Sequence, residues 1–208
     1  MSETRDNQPG IAASLYKPLS QGNVKKIIEE AFRVLESSGM LVYSKTAREV
    51  FRKAGAVVDS DQPLVRLPRA LVEDCIASNP SKITLHSRDG RCDAVLEDSR
   101  VHFGTGGTAI YVLDPDTGKR RPSTTKDVAL CARLTDALNH VHVFTINVFP
   151  NEIESNDDID VNRFFHAFDN TSKHVMGGLY SMKGCRQVVE MAEMIAGSKA
   201  RLQEEPFV

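Results

Sequence analysis

The order of apolar runs along the chain limits its fold more than any other feature. Three short strand-like runs end in glycine or small polar residues: Val101–Phe103 into Gly104-Thr105-Gly106-Gly107, Val141–Phe149 into Pro150-Asn151, and His174–Met176 into Gly177-Gly178-Leu179-Tyr180-Ser181. A fourth begins at Pro206-Phe207-Val208. Amphipathic helical stretches separate them at intervals of roughly 30–40 residues, the rhythm of βα units in a parallel sheet or barrel. Folds of this kind place their chemistry at the carboxyl ends of the strands.

The helices between the runs have clear signals. Thr124-Thr125-Lys126-Asp127 fits a capping box, and Val128, Cys131, Thr135 and Leu138 continue one helical face behind it. Asp157-Asp158 opens a second helix with Val161, Phe164, Phe165 and Phe168 on a stripe. Ser181 caps a third, with Cys185, Val188, Val189, Ala192, Ile195 and Ala196 on one side and Gly197 at its end. Upstream, residues 1–18 read as a flexible leader, and 19–98 as a small α+β cap. Within the cap, helices are expected from about Gly22 to Ser38, around Ala47–Ala54, and from Pro68 until Asn79-Pro80. Short strands at Ile83–Leu85 and Ala94–Leu96 join through Asp89-Gly90, a hairpin signal. Residues 99–208 then hold the first βα units.

Several function classes are excluded by composition. A net charge of −2 gives no electrostatic footprint for nucleic acid or an anionic membrane. No apolar run approaches the roughly 18 residues that span a bilayer. The start lacks the basic-then-apolar form of a signal peptide, so a cytoplasmic location is expected. Cys75, Cys92, Cys131 and Cys185 are scattered without a Cys-x-x-Cys pair and read as buried, reduced thiols.

The glycine-rich stretch Gly104–Thr108 invites a phosphate-binding reading. A dinucleotide fingerprint has to open a helix, yet Ala109–Leu113 is β-branched and aromatic, and no lysine follows in P-loop register. A backbone bend or close approach to a small ligand suits it better. His140-x-His142 could share one strand face, but without a carboxylate partner it makes a poor zinc site, and no metal site is expected. The acidic run Glu154, Asp157, Asp158 and Asp160 reads as a solvated helix start. At the strand ends stand Thr105 and Gly106, Asn147 (with Asn151 and Glu152 beyond it) and Tyr180 beside Ser181. Around one barrel mouth they would supply hydrogen-bonding groups and an aromatic face suited to a quaternary ammonium ligand. Thr105, Gly106, Asn147 and Tyr180 are therefore the candidate substrate-binding residues, and no catalytic residue is assigned.

These segments resemble the trimethylamine methyltransferase family. The likeness rests on Val101–Thr108, on the block Asp114-x-x-Thr117-Gly118-x-x-Arg121-Pro122, on Thr171–Ser181, and on Val188–Ala192. Val34–Met40 and Val65–Val72 are similar to the opening region of the family. The resemblance implies the amino-terminal part of a TIM (β/α)8 barrel, incomplete in this chain and preceded by the α+β cap. It implies transfer of a methyl group from trimethylamine, or a quaternary amine such as glycine betaine, to the cobalt of a corrinoid protein. That corrinoid would be carried by the partner, with no cofactor bound by this chain. Family members are longer, and the pyrrolysine of the true trimethylamine enzymes lies in later strands. A fragment inactive on its own is therefore expected, marginal in stability or homo-oligomeric because of its exposed sheet edge. The alternative is a catalytically silent fragment that only docks a corrinoid protein or partner subunit.

Overall fold

A computed structural model describes residues 10–12 and 16–208. The chain divides into two compact units, residues 14–81 and residues 82–208, the latter joined by the amino-terminal stretch through Ala13. Strand β1 (Ile11–Ala12) comes first. The 14–81 unit holds α1 (Gln21–Arg33), a π-helical turn over Val34–Ser38, β2 (Met40–Leu41), α2 (Lys45–Lys53), β3 (Val57–Val58), β4 (Leu64–Arg66) and α3 (Arg69–Ala77). Next come β5 (Lys82–Leu85), β6 (Ala94–Glu97), β7 (Arg100–Val101), β8 (Tyr111–Leu113) and β9 (Arg120–Pro122). The remainder is α4 (Thr125–Ala137), β10 (Val143–Thr145), α5 (Asn156–Asn170), β11 (His174–Met176), α6 (Met182–Ala196) and α7 (Lys199–Glu204).

In the 14–81 unit, Ser20 starts α1 by accepting the Asn23 N–H at 3.2 Å. The helix widens over Val34–Ser38 and stops at Gly39, whose φ of 70° is left-handed and whose missing Cβ would collide with the Val65 carbonyl. Three short strands in the order β2-β4-β3, all antiparallel, pack Val65 at their centre. Arg69 ties α3 to α1 through both Glu29 oxygens, at 2.5 and 3.2 Å, and lies over the Phe32 ring.

The second unit is built on parallel runs. Strands β10 and β11 pair in parallel, with Phe144 opposite Val175. On the other side of β10 runs the segment after Phe103, joined by parallel bridges Gly104–Val143 and Ala109–Val148. Pro206–Val208 reaches β11 through the Val175 N–H, which donates to Phe207 O at 2.9 Å. The four runs thus lie side by side in chain order, with helices α4, α5 and α6 covering one face. Phe144, Ile146, Val148 and Val175 from the sheet meet Val128, Phe164, Phe168 and Val188 from the helices in one core. Among the described residues the sheet does not close into a barrel, and the architecture is mixed α and β.

Cations secure the amino-terminal side of this sheet. Lys173, just before β11, is buried and donates to Thr135 O, Leu138 O and Val141 O, each at 2.6 Å, so it closes the carboxyl end of α4. The loop of the β5–β6 hairpin does the same for α5: Arg88 donates to Phe168 O at 2.6 Å and Thr171 O at 3.2 Å.

Several expectations need correction. The first strand run does not act as a stave at Val101–Phe103. Arg100–Val101 pairs antiparallel with β1, and contact with β10 begins only at the end of the run, where Phe103 O accepts the Val143 N–H at 3.3 Å and Gly104 bridges Val143. Part of the amino-terminal stretch expected to be a flexible leader, Ile11–Ala12, is that partner strand; residues 1–9 and 13–15 lie outside the described residues. Phe165, Val189, Ile195 and Leu138 face outward instead of completing their stripes, and Cys75 is exposed. Phe165, Val189 and Ile195 lie beside the buried arcs of their helices, where a helix one layer deep meets solvent, and Leu138 follows α4 in extended backbone. Conversely Asp160, expected in a solvated helix start, has no exposed surface.

Candidate functional site

Asn147 and Tyr180 lie toward the carboxyl ends of the second and third runs, away from the cations that close α4 and α5, whereas Thr105 and Gly106, expected at a strand end, come just after parallel pairing begins at Gly104 and are level with β10. Thr105 is half-buried and already engaged: its N–H donates to Val143 O at 3.3 Å and its hydroxyl to Thr145 O at 2.6 Å. Gly104 is small because a Cβ there would press on Val143 O at 3.2 Å. Gly106 and Gly107 are open and exposed, so they turn a loop rather than fit against a neighbour. Asn147 is half-buried, with Oδ1 shut away from solvent and lacking a hydrogen bond of good geometry. Its neighbour is the Cys131 thiol on α4, a weak donor whose own ionisation is pushed up by burial.

Tyr180 is the most elaborately held of the four. Its ring meets Phe149, at the end of the second run, edge to face, with centroids 5.7 Å apart and an interplanar angle of 89°. Its N–H donates to both oxygens of Asp160, at 3.1 and 2.9 Å, and the Ser181 N–H donates to the same carboxylate at 3.0 Å. The Arg163 guanidinium lies 5.1 Å from the Tyr180 ring centroid and donates from Nη1 to Gly178 O at 3.1 Å. Burial lowers the Arg163 pKa, opposed by the charge of nearby Asp160. Tyr180 as a whole remains half-exposed.

A second construction supports the rim. Arg121 from β9 donates to Asp127 Oδ2 at 2.7 Å and Oδ1 at 2.8 Å, and from Nε to Asp114 at 3.1 Å. Asp127 also accepts the Thr124 N–H and hydroxyl, each at 2.8 Å, and these bonds, Arg121 foremost, hold its carboxyl down to about 2. The Asp-x-x-Thr-Gly-x-x-Arg-Pro block therefore clips the β8–β9 hairpin to the start of α4. Asn151 ties the same hairpin to the second run, donating to Ile110 O at 2.8 Å and Phe149 O at 3.1 Å.

The structure thus brings Tyr180 and Phe149 together, leaves Thr105 committed to backbone, and sets Asn147 against α4. Phe149, Asp160 and Arg163 are not among the residues that sequence reasoning picks out. A signal for the last two is present: positions 160, 163, 164 and 167 follow the i, i+3, i+4, i+7 pattern, with charge standing where apolar residues are usual. No group of three or more His, Cys, Asp or Glu able to hold a metal ion occurs among the described residues. No helix is long and apolar enough to cross a membrane, again among the described residues. Chemically, the rim offers an aromatic wall in a polar, hydrogen-bonded frame.

Comparison with known proteins is consistent in direction. The model of the trimethylamine methyltransferase family matches residues 2–208. The chain is 36% identical over 174 residues to a trimethylamine methyltransferase of Desulfitobacterium hafniense, covering 84% of this chain and 35% of that protein. It is 28% identical over 195 residues to a glycine betaine methyltransferase of the same species, covering 93% of this chain and 40% of that protein. With a trimethylamine methyltransferase of Methanosarcina thermophila the identity is 29% over 168 residues, 79% of this chain and 34% of that protein. The chain therefore spans well under half the length of these relatives.

Proposed function

We propose that this chain, which belongs to the trimethylamine methyltransferase family, is the amino-terminal part of a (β/α)8 barrel whose mouth binds a methylated amine. The reaction is transfer of a methyl group from trimethylamine, or from a quaternary amine such as glycine betaine, to the cobalt of a corrinoid protein. The observation that carries this reading is the Tyr180–Phe149 pair at the carboxyl ends of neighbouring parallel runs. An N-methylated cation has no conventional N–H donor in its quaternary form, and an aromatic face attracts it by its quadrupole. Barrel continuation is supported by parallel runs in chain order and by Leu130 and Leu134 on α4 with Leu138 just beyond it, exposed apolar residues against which a further helix would pack.

The chemistry is a nucleophilic displacement. The Co(I) electron pair attacks the N-methyl carbon, a cobalt–carbon bond forms, and the carbon–nitrogen bond breaks with its electrons left on nitrogen. A quaternary ammonium leaves as a neutral amine; a tertiary amine leaves well only after gaining a proton. Residues of this chain contribute orientation: Tyr180 and Phe149 hold the cationic head, with Asn147 on the same carboxyl side. The second reading is a catalytically silent segment that docks the corrinoid protein or a partner subunit, with Leu130, Leu134 and Leu138 as its contact.

Methyl transfer to a Co(I) corrinoid protein separates the two readings. With the intact protein containing this segment, trimethylamine or glycine betaine should convert the Co(I) spectrum to that of methyl-Co(III). The 208-residue chain alone should not. Failure of the intact protein with both amines would overturn the enzymatic reading.

A further inference from the structure

Arg163 is a costly residue to bury where it is. It is 1% exposed, yet Nη1 makes a single hydrogen bond to Gly178 O and Nε is enclosed without a partner. Burial of a charge with unmet donors opposes folding, and a well-packed apolar side chain of similar volume commonly does as well for stability. Asp160, one turn earlier, spends its carboxylate on the N–H groups of Tyr180 and Ser181. Gly184 makes room for it, since a Cβ at that position would collide with Asp160 Oδ2. Both charges therefore act on the four residues Gly178–Ser181, and the ring they bracket is Tyr180.

We propose that Asp160 and Arg163 are positioning residues that hold the Tyr180 ring, against Phe149, as a preformed wall for the methylammonium head of the substrate. The inference rests on the functional reading above. Asp160 fixes the backbone at Tyr180, Arg163 fixes it at Gly178 and covers one ring face, and Phe149 meets the ring edge to face. Tyr180 stays half-exposed with these contacts made, which leaves ring surface for the ligand. A wall ordered in advance spares the ligand the entropy of ordering it, so the effect belongs in affinity.

The test compares kcat and KM for trimethylamine and glycine betaine in the intact protein. Tyr180→Ala should raise KM about tenfold with little change in kcat, the loss of one desolvated cation–π contact. Arg163→Met should raise KM several-fold without lowering the melting temperature, and Arg163→Lys should restore much of it. In a Tyr180→Ala background, Arg163→Met should add nothing, because it acts only through the ring. Additive effects, or an unchanged KM in Tyr180→Ala, would overturn the proposal. Should Arg163→Met fail to fold, Asp160→Asn with 3-fluorotyrosine at position 180 decides it. Its fluorine resonance should lose the shift of a fixed ring, and an unchanged line refutes the clamp. If the wild-type protein demethylates neither amine, the functional reading falls and this inference with it. If it does so and only the variants are silent, positioning alone falls.

Discussion

The two units carry helical stripes of similar quality in sequence, and only one of them buries its stripe. In α1, Val24, Ile27 and Ile28 sit at helical spacing yet remain 42%, 58% and 48% exposed. In the second unit Phe144, Phe164 and Val188 are essentially sealed. The difference lies in the sheets. The antiparallel sheet β2-β4-β3 has Val65 as its one buried residue, and no residue of α1 is buried. The parallel runs of the second unit present Phe144, Ile146, Val148 and Val175 on one face, and three helices close over them. Periodicity thus reports that a helix forms; burial depends on how much partner surface the same unit can supply.

The sharpest way to break this comparison is a pair of truncations read by hydrogen exchange, which resolves the two units separately. Phe144→Ala should cost the 82–208 unit about 3–5 kcal/mol, as deletion of a sealed aromatic leaves a cavity. Ile27→Ala should change protection in the 14–81 unit by no more than about 0.5 kcal/mol, since the side chain is already half in water. Equal effects would mean that the α1 stripe is covered in solution.

A smaller effect separates the units by pH. His174 is buried beside the His86 and Asp93 side chains, with Nδ1 3.1 Å from His86 O. Burial lowers its pKa, outweighing the His86 and Pro206 carbonyls that favour the imidazolium. Burial likewise lowers His142, with the His102 and Lys173 charges acting in the same direction. The folded state therefore holds these rings neutral while the unfolded chain takes up protons near its ordinary value of about 6.5. Stability is complete above that value and declines as pH falls below it. The 82–208 unit should lose protection progressively as pH falls below about 6.5, and His174→Asn, which keeps a donor but cannot titrate, should flatten part of that loss. Asp127, held at about 2, contributes stability that persists to lower pH and is lost only as pH falls from about 4 toward 2. Acid sensitivity unchanged in His174→Asn would remove that histidine from the account.

Much of the second unit is legible in the sequence because its signals are local. The Thr124–Asp127 capping box, the Ser181 cap and the αL stop at Gly197 all occupy their expected places. The family likeness, too, rests on contiguous residues that the family model covers. What escapes depends on distant partners. Asp160 looks like a solvated acid until Tyr180 and Ser181, some twenty residues later, aim their N–H groups at it. Lys173 and Arg88 carry no local signal of their roles, because the carbonyls at the ends of α4 and α5 that they bind lie 32 or more residues away in sequence. Arg100–Val101 joins β1 rather than β10 for a similar reason: the choice of partner lies outside any local window.

The smallest effect expected concerns the glycine loop, and it bears directly on the site. At Gly106 a Cβ would meet no atom within 4 Å and the φ is not left-handed, whereas Gly107 sits at φ 78°. Gly106→Ala should therefore leave stability unchanged or raise it by up to about 1 kcal/mol, through a less flexible unfolded chain. Gly107→Ala should lower it by about 1 kcal/mol, because alanine resists the left-handed region. With folding effects of opposite sign, methyl transfer by the two variants of the intact protein separates loop shape from ligand approach. If the amine passes close to Gly106, the alanine methyl should raise KM although the fold is no less stable. A normal KM in Gly106→Ala would confine the wall of the site to Tyr180 and Phe149.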